Sequence, residues 1–94
     1  MYLGNLIKSA KKNYQKIPVT GICFDSRKIK KNNIFFAIDG NQTSGTKYID
    51  KAIKNGASAV IVEKKIKNYK HDQVPLLIVN NVRKCLAEAC SNFY

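Results

Sequence analysis

At 94 residues and 10.6 kDa the chain supports one domain, too short for two lobes with an active-site cleft between them. Hydrophobic residues make up 45% and charged residues 24%, a balance that excludes wholesale disorder. The formal net charge of +11, from 17 Lys and Arg against 6 Asp and Glu, raises nucleic acid as a possible partner.

Leu3, Leu6, Ile7, Ala10, Tyr14 and Ile17 recur at helical spacing and predict an amphipathic helix over residues 1–16, ended by Pro18. Residues 19–25 are rich in β-formers and predict a strand that tolerates Gly21. After a polar turn over 28–33, residues 34–38 form a nearly continuous apolar run. Such a run marks a strand covered on both faces. A polar loop over 39–45 leads to Thr46, a candidate cap for a helix over 47–55. The inward face of that helix is Tyr48, Ile49, Ala52 and Ile53, and Gly56 sits where a left-handed residue would end it. Residues 59–62 predict a third strand, 64–73 a charged connection, and 74–79 a fourth strand with Pro75 near its start. Asn81 is placed to cap a last helix with Val82, Leu86, Ala89 and Phe93 on one stripe.

The order α-β-β-α-β-β-α predicts an α/β fold: one small domain over 1–94, with a mixed sheet of four to five strands flanked by helices. Phe35, Ile38, Val60, Ile61, Leu77 and Ile78 are the expected core. The chain stops at Tyr94 within or just after its last helix, as a domain cut from a longer protein would.

The charge has a plain explanation. Fifteen of the 17 cations are lysine, spread from Lys8 to Lys84 with no block longer than a pair, and only Arg27 and Arg83 are arginine. Base readers rely on arginine forks and clustered exposed aromatics, so a solvated basic surface is preferred over nucleic-acid binding. Three cysteines without a CxxC pair argue against a disulfide framework, and the lone His71 argues against a zinc site. No apolar run approaches the ~18 residues of a membrane span, and Lys8, Lys11 and Lys12 interrupt any signal-peptide core. A reduced, cytoplasmic, soluble domain is expected.

Enzyme signatures are missing. The 94 residues hold no GxxxxGK[ST] loop, no GxGxxG and no GxSxG elbow. Asp25, Asp39, Asp50, Asp72, Glu63 and Glu88 show no spacing that pairs two carboxylates on one helical face. His71 reads as an exposed loop residue, and Cys23, Cys85 and Cys90 as small packing residues. No catalytic or metal-ligating residue is assigned. Two segments stand out instead: Asp25-Ser26-Arg27 after the first strand, and residues 40–45 after the second. Both put short polar side chains at strand ends, where ligands of α/β sheets bind, although the same residues are ordinary in turns.

The run Thr20-Gly21-Ile22-Cys23-Phe24-Asp25-Ser26-Arg27 is followed by Ile34-Phe35-Phe36-Ala37-Ile38-Asp39-Gly40. Then come Gly45-Thr46-Lys47-Tyr48-Ile49 and Ala52, Ile53, Gly56 and Ala57. In this order and spacing they resemble the N-terminal domain of Mur ligases, over Gly21 to Tyr94. The strand at Pro75, with Arg83, Leu86, Ala87, Phe93 and Tyr94, most resembles the type that adds the third amino acid to UDP-N-acetylmuramoyl-dipeptide. The type that adds the terminal dipeptide is the nearest alternative, and a small basic nucleic-acid-binding module the alternative from another class.

The resemblance implies a domain that holds the UDP end of a UDP-N-acetylmuramoyl-peptide. It also implies central and C-terminal domains of the same chain, beyond Tyr94, that bind ATP and Mg2+ and present the amino acid. The 94 residues alone would then be inactive. Carried over, Ser26 hydrogen-bonds the uridine and Phe24 supports the strand beside it. Asn41, Gln42 and Thr43 line uracil and ribose, and Gly40 lets the backbone approach. Asn41 stands where a histidine is common in that type, Ser44 replaces an aspartate, and Thr46-Lys47 replaces His-Asp. Arg27 is left between two roles, a partner for a group of its own chain or a ligand contact.

Overall fold

The computed structural model describes residues 2–7, 11–37, 45–63 and 74–93. Four strands, β1 (Gly21–Cys23), β2 (Asn33–Phe36), β3 (Ala59–Val62) and β4 (Leu76–Ile78), form one sheet in the order β1-β2-β3-β4. Helices α1 (Leu3–Leu6), α2 (Gly45–Lys54) and α3 (Val82–Phe93) complete the α/β domain.

Four strands with flanking helices are as expected, but among the described residues the sheet is parallel rather than mixed. All three pairings are parallel, with Ile22 opposite Ile34, Phe35 opposite Val60, and Ile61 opposite Leu77. Every residue of β2 and β3 is buried, as their unbroken apolar runs require of central strands in a parallel sheet. Alternate residues serve opposite faces. Ile34, Phe36, Ala59, Ile61 and Leu77 pack with Leu3, Leu6 and Ile7 of the α1 region and with Val82, Cys85 and Ala89 of α3. Phe35, Val60 and Val62 pack with Ile49 and Ala52 of α2. The sheet is therefore sandwiched between α2 and the α1–α3 pair.

Of the expected core, Phe35, Val60, Ile61 and Leu77 are buried, and Ile38 lies outside the described residues. Ile78 is 53% exposed, which corrects that expectation. It belongs to an edge strand on the α2 face, and the buried contacts of α2 fall on β2 and β3.

The long first helix is also corrected. Among the described residues of this stretch only Leu3–Leu6 is α-helical, and Lys12–Tyr14 forms a 3-10 turn. The chain doubles back: the Leu3 N–H donates to the Ile17 carbonyl at 2.8 Å and the Gly4 N–H to the Gln15 carbonyl at 2.9 Å. Tyr14 and Ile17 still reach the core, from a return segment rather than from a continuing helix.

The end of α2 follows the sequence closely. The Ala57 N–H donates to the Ala52 carbonyl and the Gly56 N–H to the Ile53 carbonyl, each at 3.0 Å. This pair of bonds is the Schellman arrangement, with Gly56 in the left-handed region at φ 115°. At the start, α2 begins at Gly45, so Thr46 lies within the helix instead of capping it.

Asn81 caps α3 as expected, its Oδ1 accepting from the Lys84 N–H at 3.0 Å. A second acceptor comes from the residue just past β3, where Glu63 Oε1 takes the Val82 N–H at 2.8 Å. Two of the helix's orphan donors are thereby satisfied. Asn81→Ala should cost about 0.5–2 kcal/mol, read as a lower denaturation midpoint. Retention of the wild-type midpoint would mean that Glu63 alone suffices.

Candidate functional site

In a parallel sheet the carboxyl ends of all strands lie on one edge, and ligands of such sheets bind outside that edge. The chain leaves β1 there through Phe24 and Asp25 into a 3-10 turn at Ser26–Lys28. It leaves β2 at the same edge, because Cys23 and Phe35 are paired in register.

The turn is held mainly by Asp25. Its carbonyl accepts from the Lys28 N–H at 2.9 Å, which closes the turn, and from the Cys23 thiol at 3.2 Å. Its Oδ1 accepts from the Arg27 N–H at 3.0 Å and from Arg27 Nε at 3.2 Å. Oδ2 accepts from Arg27 Nη2 at 3.3 Å. The guanidinium thus meets the carboxylate as a fork, the geometry that lysine cannot reproduce. Hydrogen bonding from Arg27 holds the Asp25 carboxyl below its ordinary range, and the same contact raises the guanidinium. Of the two roles left open for Arg27, the structure shows a partner in its own chain, Asp25.

Ser26 lies in this turn, between the two paired residues. Phe24 does not support the strand as expected: it stands one residue past β1 and is 64% exposed. An aromatic side chain presented to solvent beside a polar turn offers a face for stacking rather than packing. Tyr48, expected on the inward face of α2, is instead another large exposed side chain. Gly40, Asn41, Gln42 and Thr43 lie outside the described residues, as do His71 and Asp72.

The remaining chemistry is sparse. Burial pushes the Cys85 thiol up to about 11, in keeping with a packing role. Among the described residues no group of three His, Cys, Asp or Glu could hold a metal ion, and no helix is long and apolar enough to cross a membrane. A groove of about 210 Å³ lined by Lys11, Tyr14 and residues 76–79 lies along β4, at the opposite edge of the strand order from β1. The pairing of Asp25 with Arg27 and the Glu63 cap on α3 were not read from the sequence. An aspartate two residues before an arginine at a strand exit is the signal that could have found the first.

Residues 18–94 match the Mur ligase family, catalytic domain. The chain is 39% identical over 97 residues to a UDP-N-acetylmuramoyl-L-alanyl-D-glutamate–2,6-diaminopimelate ligase of Caldanaerobacter subterraneus, covering 100% of this chain and 20% of that protein. Proteins of the same name from Clostridium tetani and Fusobacterium nucleatum are 44% and 47% identical, over 84% and 79% of this chain and 16% and 15% of theirs. The chain therefore spans about a fifth or less of the length of these relatives. Among solved structures, MurF from Acinetobacter baumannii matches in fold with a TM-score of 0.61 at 23% identity, over 79% of this chain and 15% of that one. The MurF ligase of Thermotoga maritima in complex with ADP matches with a TM-score of 0.59 at 28% identity, over 76% and 16%.

Proposed function

The chain belongs to the Mur ligase family, and from that premise we propose that it is the uridine-nucleotide-binding N-terminal domain of an ATP-dependent amide ligase of peptidoglycan synthesis. The reaction proposed for the whole enzyme is addition of the third amino acid to UDP-N-acetylmuramoyl-dipeptide. Diaminopimelate is the amino acid that the names of the relatives favour, at 39–47% identity. The dipeptide-adding alternative rests on likenesses to MurF at 23% and 28% identity, a weaker support. The proposed setting is cytoplasmic.

The observation that carries the uridine reading is the turn at the carboxyl edge of the sheet, with Ser26 between two mutually bonded neighbours and Phe24 exposed beside it. A uracil edge offers two carbonyl acceptors and one N–H donor. A hydroxyl meets either kind of group, and the bonds between Asp25 and Arg27 hold the backbone that carries it. In this reading Phe24 contributes an apolar face, while Asn41, Gln42 and Thr43 follow from the resemblance to line uracil and ribose, with Gly40 allowing close approach. ATP and Mg2+ do not fit the residues present. The 94 residues contain no glycine-rich phosphate loop, so both groups are assigned to other parts of the enzyme.

UDP should bind the 94-residue chain weakly, with a dissociation constant near or above roughly a millimolar, because a few neutral hydrogen bonds each contribute about 0.5–1.5 kcal/mol. Titration into labelled protein should move the amides of residues 24–27 and 41–44 first. Ser26→Ala should weaken the response several-fold. ADP should bind worse than UDP, since adenine is larger and presents a different donor–acceptor edge. Equal responses to UDP and ADP, untouched by Ser26→Ala, would refute the uridine site.

A further inference from the structure

We propose that Asp25 and Arg27 are positioning residues for the nucleotide site, acting on the ligand through Ser26; this rests on the uridine reading above. The two residues flank Ser26 in sequence and are bonded to each other by a backbone–side-chain contact and by a two-pronged ion pair, at 3.0, 3.2 and 3.3 Å. These bonds span the two peptide units on either side of Ser26 and restrain their rotation. The Lys28 N–H to Asp25 carbonyl bond closes the same turn from the other end, and the Cys23 thiol ties that carbonyl back to β1.

The exposure of the pair argues for positioning over stability. The Arg27 side chain is 75% exposed and that of Asp25 28%, a setting in which ion pairs contribute little to folding. A forked pair held at the surface over a single turn instead removes conformations that the turn would otherwise sample. A binding residue whose backbone is set in that turn loses less freedom when the ligand arrives, so affinity rises without any new contact. Arg27 meets the carboxylate through Nε and Nη2, an arrangement that fixes the plane of the fork as well as its distance.

Uridine is the probe of choice, because it carries no phosphate for the basic surface to attract. Titrated into the labelled 94-residue chain, it should bind Asp25→Ala several-fold more weakly than wild type. Asp25→Asn should recover part of the loss, since its side-chain oxygen still accepts the Arg27 N–H. Arg27→Lys should fall between wild type and Arg27→Ala. The decisive readout is the double variant: if Asp25 acts through Ser26, Asp25→Ala with Ser26→Ala binds no more weakly than Ser26→Ala alone. Denaturation midpoints of the single variants should stay near wild type, and if Asp25→Ala fails to fold, Asp25→Asn carries the cycle. Losses that multiply in the double variant, or wild-type affinity in Asp25→Ala while Ser26→Ala is impaired, would overturn the positioning role alone. A wild-type chain whose residues 24–28 do not respond to uridine would overturn both this role and the uridine reading.

Discussion

Replacing Phe36 by alanine is expected to cost about 3–5 kcal/mol, the largest loss of any single truncation considered. The ring is fully buried, at 0% exposure, in β2, which is hydrogen-bonded on both sides by β1 and β3. It packs in the cluster that joins the sheet to α1 and α3, together with Leu3, Leu6, Ile34 and Ile61. Those neighbours belong to strands and helices anchored elsewhere, so they cannot close over the space left by a phenyl group. A domain of this size holds roughly 5–14 kcal/mol in total, which makes the expected loss a large share of it. Urea titration should show a clearly lower midpoint with an unchanged slope. An unmoved midpoint would place Phe36 outside the core.

The second large effect is expected at Gly56. Two separate costs fall on any side chain there. The backbone sits at φ 115°, where an L-residue is strained, and a Cβ would stand 2.8 Å from the Lys31 Cα and 3.2 Å from the Lys31 nitrogen. The close neighbour is backbone, not a side chain able to swing aside. That backbone is also engaged, because the Asn32 N–H donates to the Gly56 carbonyl at 2.8 Å and Asn32 itself has φ 66°. Gly56→Val should therefore destabilise by about 2 kcal/mol or more. Gly56→Ala should retain most of that loss, since both costs begin at Cβ rather than at branching. A fully stable Gly56→Ala would contradict the Schellman ending of α2.

These two residues also show where local sequence was sufficient. Phe36 lies in an apolar run with no alternation, and a strand of that kind must be covered on both faces. Gly56 follows a helical stripe at the position where the left-handed residue belongs, and Asn81 precedes another in the same way. The bounds of β3 were legible for the same reason as β2. What escaped was set by contacts distant in sequence. The apolar spacing of Leu3, Leu6, Ile7, Tyr14 and Ile17 fits one helix, yet Leu3 bonds to Ile17, so the same residues reach the core from two segments. Parallel pairing depends on connections that strand periodicity does not encode. Ile78 reads as apolar core in sequence, and its place on the α2 face of an edge strand exposes it while Leu77, on the other face, stays buried.

At the candidate site the sequence placed a polar segment at the exit of β1, while residues 40–43 lie outside the described residues. Asp25-Ser26-Arg27 was legible as a polar turn at a strand exit. The fork between Asp25 and Arg27 and the outward Phe24 depend on side-chain geometry that spacing alone does not specify.

The claim that this basic chain recognises a uridine, and not merely negative charge, is tested most directly by titrating uridine and UDP at low and at several-fold higher salt. The account predicts that both ligands shift residues 24–27 and 41–44. Uridine should lose little affinity as salt rises, and UDP should lose only the modest share owed to its phosphates. A chain that ignores uridine, and whose response to UDP spreads over its lysines and falls steeply with salt on a log–log plot, would contradict it.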